Sequence, residues 1–261
     1  MLGDISVYHS ASDQVSRQVD ELASSLGFNF IFANFLITSK ISDWEKQVSQ
    51  FVLSARERDD KIPLVKVKKS CLDILQSKTS KQPSFRVFTR VTVALQHGDK
   101  IDALNETHFK KLANHVGVDC FCIRPAHEVH FLDLINNRDR YMYDLLSIDF
   151  SNGNFFQQIG NVVKTLKSCT NLFIEMELSQ MQRGSAELMN LVSQSKLVFP
   201  RTNVAVISSG AKSAFELRSP LDLHNWGKNI MNIRGCEKRV DQLLQIVAKK
   251  RLMRSNFISV Q

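Results

Sequence analysis

The 261-residue chain contains no CxxC pair, and its cysteines are an odd five: Cys71, Cys120, Cys122, Cys169 and Cys236. That pattern points to neither a zinc site nor a disulfide framework, and it fits reduced thiols inside an intracellular protein. No apolar run approaches the roughly 20 residues of a membrane-spanning helix. No signal-type segment precedes the first apolar strand, so no membrane partner is expected. No Gly/Ser linker divides the chain, which therefore reads as a single domain over residues 1–261. No GxGxxG follows the first strand, which weakens a dinucleotide-binding reading, and no cofactor is expected.

What is present is apolar bulk and positive charge. Hydrophobic residues make up 43% of the chain, enough for a substantial core. The net charge is +8 and the pI near 9.3, which favours polyanionic partners. The basic residues cluster, at Lys66-Val67-Lys68-Lys69 and at Lys249-Lys250-Arg251-Leu252-Met253-Arg254. Clustering tilts the expectation towards nucleic acid, although each residue alone fits a solvated surface charge.

Seven short apolar runs alternate with amphipathic stretches. The runs are 4–8, 28–35, 85–95, 120–123, 145–149, 172–178 and 204–207, rich in β-branched and aromatic residues. Helical signals separate them. Val15, Val19, Leu22 and Leu26 mark the first helix, closed by Gly27. Ser42-Asp43-Trp44-Glu45 reads as a capping box before Val48, Phe51 and Val52. Asn105 caps a helix through Val116, and a further helix is expected from about Ala126 to Asn136. Phe155, Ile159, Val162, Val163 and Leu166 share a face, as do Val240, Leu243, Leu244 and Val247. Residues 58–84 hold Pro63, Pro83 and six lysines without clean periodicity, and read as a basic excursion. Regular βα alternation implies a parallel sheet with outer helices. A doubly wound sheet or a TIM-like barrel satisfies it, and the even spacing favours the α/β barrel of about seven strands.

The segment Asn203 to Leu221 organises the rest. Val204-Ala205-Val206-Ile207 is a buried strand, and Ser208-Ser209-Gly210-Ala211 turns the chain. Lys212 and Arg218 flank that turn. Ser219 and Pro220 open a helix as N-cap and first helical residue.

Three stretches carry a resemblance: the strand Arg86 to Leu95 with Thr89-Arg90-Val91-Thr92, the strand–Pro–helix unit Cys120 to Leu134, and Asn203 to Leu221. With Glu175 as the acidic residue of the strand before the last, they resemble the TIM-barrel protein subunit of nuclear and archaeal ribonuclease P, shared in eukaryotes with ribonuclease MRP. The resemblance implies a non-catalytic subunit that docks on a catalytic RNA during tRNA 5′-end maturation and rRNA processing. It also implies nuclear, nucleolar location, indirect contact with precursor tRNA, a small ferredoxin-like partner subunit, and two copies in one assembly. Phe131 and Leu132, near a Pro-led helix, are the apolar residues expected to be exposed for such docking.

The barrel is also similar to the PHP phosphoesterases, whose opening D-L-H-x-H supplies two metal ligands. Here the run is Asp4-Ile5-Ser6-Val7-Tyr8-His9, with Ser6 and Tyr8 at the ligand positions. His9 is one residue out of phase. A degenerate metal site follows, with no metal expected and Asp4, Asp149 and Glu175 either a vestigial acidic centre or partners of strand arginines. A metal-dependent phosphoesterase is the alternative function. A small-molecule lyase or isomerase also remains open, because fold does not fix function. For the RNA-binding reading the candidate residues are Arg86, Arg90, Arg124, Lys212 and Arg218, then Lys66, Lys68, Lys69, Lys249, Lys250 and Arg251. No residue is assigned a catalytic role. Arg90 stands mid-strand, where an unpaired charge is costly, so a buried ion pair is its other reading.

Overall fold

The computed structural model describes residues 3–8, 13–38, 44–59, 86–98, 111, 117–150, 155–169, 171–179 and 184–258. The helix expected after Asn105 and nearly all of the basic excursion, with Lys66, Lys68 and Lys69, lie outside the described residues.

Seven parallel strands stand side by side in chain order. They are β1 (Gly3–Tyr8), β2 (Phe30–Thr38), β3 (Arg86–Ala94), β4 (Cys120–Arg124), β5 (Leu145–Ile148), β6 (Ile174–Glu177) and β7 (Ala205–Ser208). A doubly wound sheet reverses its strand order at a switch point, and this one does not. Instead the ends approach each other. Val7 bridges to Ala211, and the Tyr8 N–H donates to the Ala211 carbonyl at 2.7 Å. The sheet is a nearly closed barrel.

Each strand has two buried faces, which explains the near-continuous apolar runs. The outer face of Ile31, Ala33, Val87, Val91 and Val93 packs under helices. Those helices are α1 (Asp13–Ser25), α2 (Trp44–Asp59), α3 (Glu128–Asn136), α4 (Arg138–Tyr141), α5 (Ile159–Ser168) and α6 (Ser185–Val198). Beyond β7, α7 (Pro220–Asn225) starts with the expected Ser219 cap. Ser219 and Asp222 exchange side-chain and backbone bonds as a capping box. Trp226 and Ile230 belong to a π turn that continues α7 rather than to a regular helix.

The inner face divides along the barrel axis. Towards the N-terminal ends of the strands it is apolar, with Phe30, Phe32, Phe88, Cys120, Leu145, Phe173 and Val206. Phe30 meets Phe32 and Phe88 edge-on, and Phe32 stacks on Phe88. The last helix, α8 (Cys236–Ile258), closes this end with Val240, Leu243, Leu244 and Val247. Their i, i+3, i+4, i+7 spacing puts them on one stripe. Each such burial contributes about 1.5–3 kcal/mol. Towards the C-terminal ends the lumen turns polar.

Three expectations need correction. Phe131 is fully buried and Leu132 packs partly against the core, so neither is an exposed docking residue. Phe131 shares a helix face with Leu134 and Ile135, and that face points inward. Phe155 precedes its helix, which starts at Ile159, and fills a nest of Phe131, Phe150 and Phe156 rings. The helix after β4 begins at Glu128, because His127 is its N-cap.

Gly210 turns the chain at the end of β7 with φ +61°. A Cβ there would lie 2.6 Å from Ser179 Oγ and 2.7 Å from Glu177 Cβ. Gly210→Ala is therefore expected to destabilise the barrel by about 2–4 kcal/mol, from left-handed strain and crowding together. A thermal melt followed by circular dichroism should show Tm lower by about 5–10 °C.

Candidate functional site

The C-terminal half of the lumen is built on Arg90, fully buried on β3. Its guanidinium meets Glu175 on β6 in a bidentate pair, with both N···O distances 2.6 Å. Nε donates to Thr92 Oγ1 at 3.1 Å, Nη1 to the Ile5 carbonyl at 2.7 Å, and Nη2 to Cys122 Sγ at 3.2 Å. All five guanidinium N–H groups thus have acceptors. Burial works against the Arg90 charge, but Cys122 and Glu175 outweigh it and the net shift is upward. Burial also pushes the Cys122 thiol up to about 11, so it stays protonated.

A polar chain runs upward from this pair. Thr92 Oγ1 donates to Asn34 Oδ1 at 2.7 Å, Asn34 Nδ2 to Ser6 Oγ at 3.1 Å, and Ser6 Oγ to Glu177 Oε1 at 2.9 Å. Glu177 also pairs with Arg124 at 2.8 Å and accepts the Tyr8 hydroxyl at 2.9 Å. Arg124 in turn donates to Tyr8 Oη at 2.5 Å and Ser147 Oγ at 3.2 Å. Burial opposes the Arg124 charge, yet Glu177 and Tyr8 more than offset it, and the shift is upward. Burial, then the Glu177 carboxylate, raises the Tyr8 phenol, which stays neutral.

A β-bulge explains why Ser6 and Tyr8 reach this network. Asp4 pairs with Ile31 and Val7 with Ala33, so two residues of β1 oppose one of β2. The extra residue shifts the phase, letting Ile5 face the apolar floor while Ser6 and Tyr8 face the polar lumen. Asp4 sits at the seam, where its carboxylate accepts the Ser6 N–H at 3.2 Å and the Ser209 N–H at 3.1 Å. Burial raises its pKa to about 7.

These residues do not fit a metal centre. Glu175 and Glu177 are each engaged by an arginine, Asp4 by backbone N–H groups, and two guanidinium charges would repel a divalent cation. Among the described residues no group of three or more His, Cys, Asp or Glu side chains is arranged to hold a metal. Of the two readings of Glu175, pairing with a strand arginine is the one the geometry realises.

The basic candidates divide between the ends of the barrel. Arg90 has no surface to offer a phosphate, and Arg124 is nearly covered. Lys212 and Arg218 are exposed beyond β7, at the C-terminal end. The Lys212 ammonium lies 5.8 Å from the centre of the Tyr8 ring, and the Arg124 guanidinium lies 6.0 Å from it. Glu216 accepts the Lys212 backbone N–H at 2.7 Å, and among the described residues Arg218 makes no ion pair. Arg86, half-exposed, starts β3 at the opposite end. There Lys250 pairs with Asp144, and Arg251 lies 3.7 Å from Asp119 and over the Phe88 ring. Lys249 beside them is exposed.

A feature that the sequence reading missed is a set of three imidazoles at the C-terminal end. His130 N–H donates to His127 Nδ1 at 3.4 Å, their rings lie 3.7 Å apart, and the His97 ring is 5.4 Å from that of His127. Burial and then His97 hold the His127 pKa below its ordinary value. The signal available was the position of His97 and His127, just past β3 and β4.

Residues 1–256 match the protein family described as RNase P subunit p30. The chain belongs to that family. A plant relative, Protein GAMETOPHYTE DEFECTIVE 1 of Arabidopsis thaliana, is 28% identical over 145 residues. That stretch is 54% of this chain and only 23% of the plant protein. Among solved structures, a chain in a cryo-EM structure of archaeal ribonuclease P with mature tRNA superposes with a TM-score of 0.53. The superposition covers 95% of this chain and 90% of the archaeal one at 11% identity, a likeness of fold.

Two outcomes test the lumen of this p30-family barrel. Arg90→Met strands the Glu175 charge and should cost about 3–5 kcal/mol, whereas the double change Arg90→Met with Glu175→Met should recover most of it. Urea unfolding of the three proteins measures this. Asp4, protonated in the fold up to about pH 7 but only to about 3.9 when unfolded, binds more protons in the folded state across that window. Stability must therefore fall as pH rises through it. Asp4→Asn keeps an acceptor for the Ser209 N–H, and should flatten the fall between pH 4.5 and 7.5.

Proposed function

We propose that this chain is a non-catalytic, RNA-binding protein subunit of ribonuclease P, shared with ribonuclease MRP, that supports tRNA 5′-end maturation and rRNA processing by a catalytic RNA. The observation that carries the reading is the lumen of this p30-family barrel. At the end where TIM barrels build active sites, its carboxylates are tied to Arg90, Arg124 and backbone N–H groups. Among the described residues no group of three or more His, Cys, Asp or Glu side chains is arranged to hold a metal. Work then falls to the outer surface, and the net charge of +8 favours a polyanion there.

Within this reading Lys212 and Arg218 contact phosphate at the C-terminal end, with Arg86 and Lys249 as contacts at the opposite end. Lys66, Lys68 and Lys69 stand as further phosphate contacts. Arg90, Arg124, Lys250 and Arg251 support the RNA surface indirectly, by holding the barrel and α8 in shape. Phosphate contacts position the protein on RNA without reading its sequence. The whole chain acts as one domain, in the nucleus and nucleolus, beside a small ferredoxin-like subunit and a second copy of itself. No helix among the described residues is long and apolar enough to cross a membrane.

Two measurements test this. The purified chain, supplied with Mg²⁺ or Mn²⁺ and precursor tRNA, should produce no cleavage. Cleavage that disappears on Glu175→Gln would overturn the non-catalytic assignment. Lys212→Ala with Arg218→Ala should weaken RNA binding and leave Tm unchanged. It should also flatten the slope of log affinity against log salt by about 0.7–0.9 for each phosphate that the protein no longer neutralises. An unchanged slope and affinity would remove this end of the barrel from the RNA surface.

A further inference from the structure

Phe215 is 96% exposed, more than any other large apolar side chain among the described residues. It stands on the 3-10 turn Ala214–Glu216, between β7 and α7. The turn is fixed from both sides. Glu216 N–H donates to the Ser213 carbonyl at 3.1 Å, and Leu217 N–H to the Ala214 carbonyl at 3.3 Å. The Glu216 carboxylate takes the Lys212 N–H, while Leu217 is buried and Ala214 packs against the core. The ring is therefore held out in water by a rigid frame, and little ordering remains to be done on binding. Lys212 and Arg218, both exposed, flank it in the chain. Between them in the chain the one carboxylate is Glu216, which a backbone N–H already engages.

We propose that Phe215 is a stacking platform for one unpaired RNA base, with Lys212 and Arg218 holding the phosphates on either side of that nucleotide. The proposal rests on the RNA-binding reading above and adds what kind of RNA this end of the barrel takes. A flat, apolar ring between cations is the combination that binds single-stranded nucleic acid. Bases inside a duplex have both faces covered, so the platform favours loops, bulges and ends. Protein-docking hot spots are instead surrounded by contacts that exclude water. Phe215 has Lys212, Ser213, Glu216 and Arg218 around it in the chain.

The test uses the full chain and two fluorescein-labelled probes, a 12-nucleotide single-stranded RNA of mixed sequence and a blunt 12-base-pair RNA duplex, read by fluorescence anisotropy. Phe215→Ala should weaken single-strand binding about 5- to 150-fold, the range for losing one base stack. Duplex affinity, salt slope and Tm should stay unchanged. Phe215→Trp should bind as the parent does, and Phe215→Leu as weakly as Phe215→Ala, because stacking needs an aromatic face. Single-strand affinity within twofold of the parent for Phe215→Ala overturns the proposal. So does full binding by Phe215→Leu, which would mark an apolar contact of the kind proteins make. If Phe215→Ala has no effect while Lys212→Ala with Arg218→Ala flattens the salt slope, stacking fails and the RNA-binding reading stands. If neither change has any effect, both fall together.

Discussion

The buried pair of Arg90 and Glu175 is the constraint on which the upper half of the barrel depends. Two charges removed from water lose several kcal/mol of hydration each, and only near-ideal geometry offsets that. Here the geometry is bidentate and every guanidinium donor is matched, which is the strong form of such a pair. The matching imposes demands on other strands. Thr92 must accept from Nε, Cys122 must stay a neutral thiol, and the Ile5 carbonyl must point inward. The bulge in β1 lies at that carbonyl, so the irregularity of the first strand and the charge on the third are parts of one arrangement. From Thr92 the demand passes through Asn34 and Ser6 to Glu177, which needs Arg124 and Tyr8 in turn.

In a lumen organised this way the two glutamates are each held by a guanidinium. Below the pair, phenylalanine rings and the apolar stripe of α8 fill the barrel. Above it, carboxylates and guanidiniums neutralise each other. Enzymes on this fold use the C-terminal ends of the strands to present unsatisfied groups to a substrate. Here two of the carboxylates on those strands, Glu175 and Glu177, are engaged by Arg90 and Arg124. Lys212, over the Tyr8 ring, joins the outer loop to that interior, and Gly210 makes the turn that brings the loop there.

Much of this was legible in the sequence, and the failures have physical reasons. Seven apolar runs gave seven strands, because a strand buried on both faces has to be apolar throughout. Ser219-Pro220 gave a helix start, because capping is decided within four residues. The two-residue period of a strand places Phe88 and Arg90 on one face of β3, which is the inner one. What the sequence withheld was long-range. Arg90 and Glu175 lie 85 residues apart, and nothing near Arg90 says which acid it meets. The bulge that turns Ser6 and Tyr8 inward is set by pairing with β2. Phe131 faces inward because its i+3 and i+4 partners, Leu134 and Ile135, make that side of the helix apolar.

The basic clusters show how charge in sequence differs from charge in space. Lys249-Lys250-Arg251 reads as a polyanion-binding run, yet Lys250 and Arg251 reach Asp144 and Asp119, the acids just before β5 and β4. The two residues thereby fasten α8 across the floor of the barrel, and much of their charge is neutralised in doing so. Of the candidate cations among the described residues, those left at the surface sit at opposite ends, Lys212 and Arg218 above, Arg86 and Lys249 below. A nine-residue strand such as β3 spans about 30 Å at 3.3 Å per residue, about four Debye lengths at physiological salt. The two ends therefore act as separate electrostatic surfaces. One RNA segment lying flat on either end gains nothing from the other, and a net charge of +8 overstates what any single contact feels.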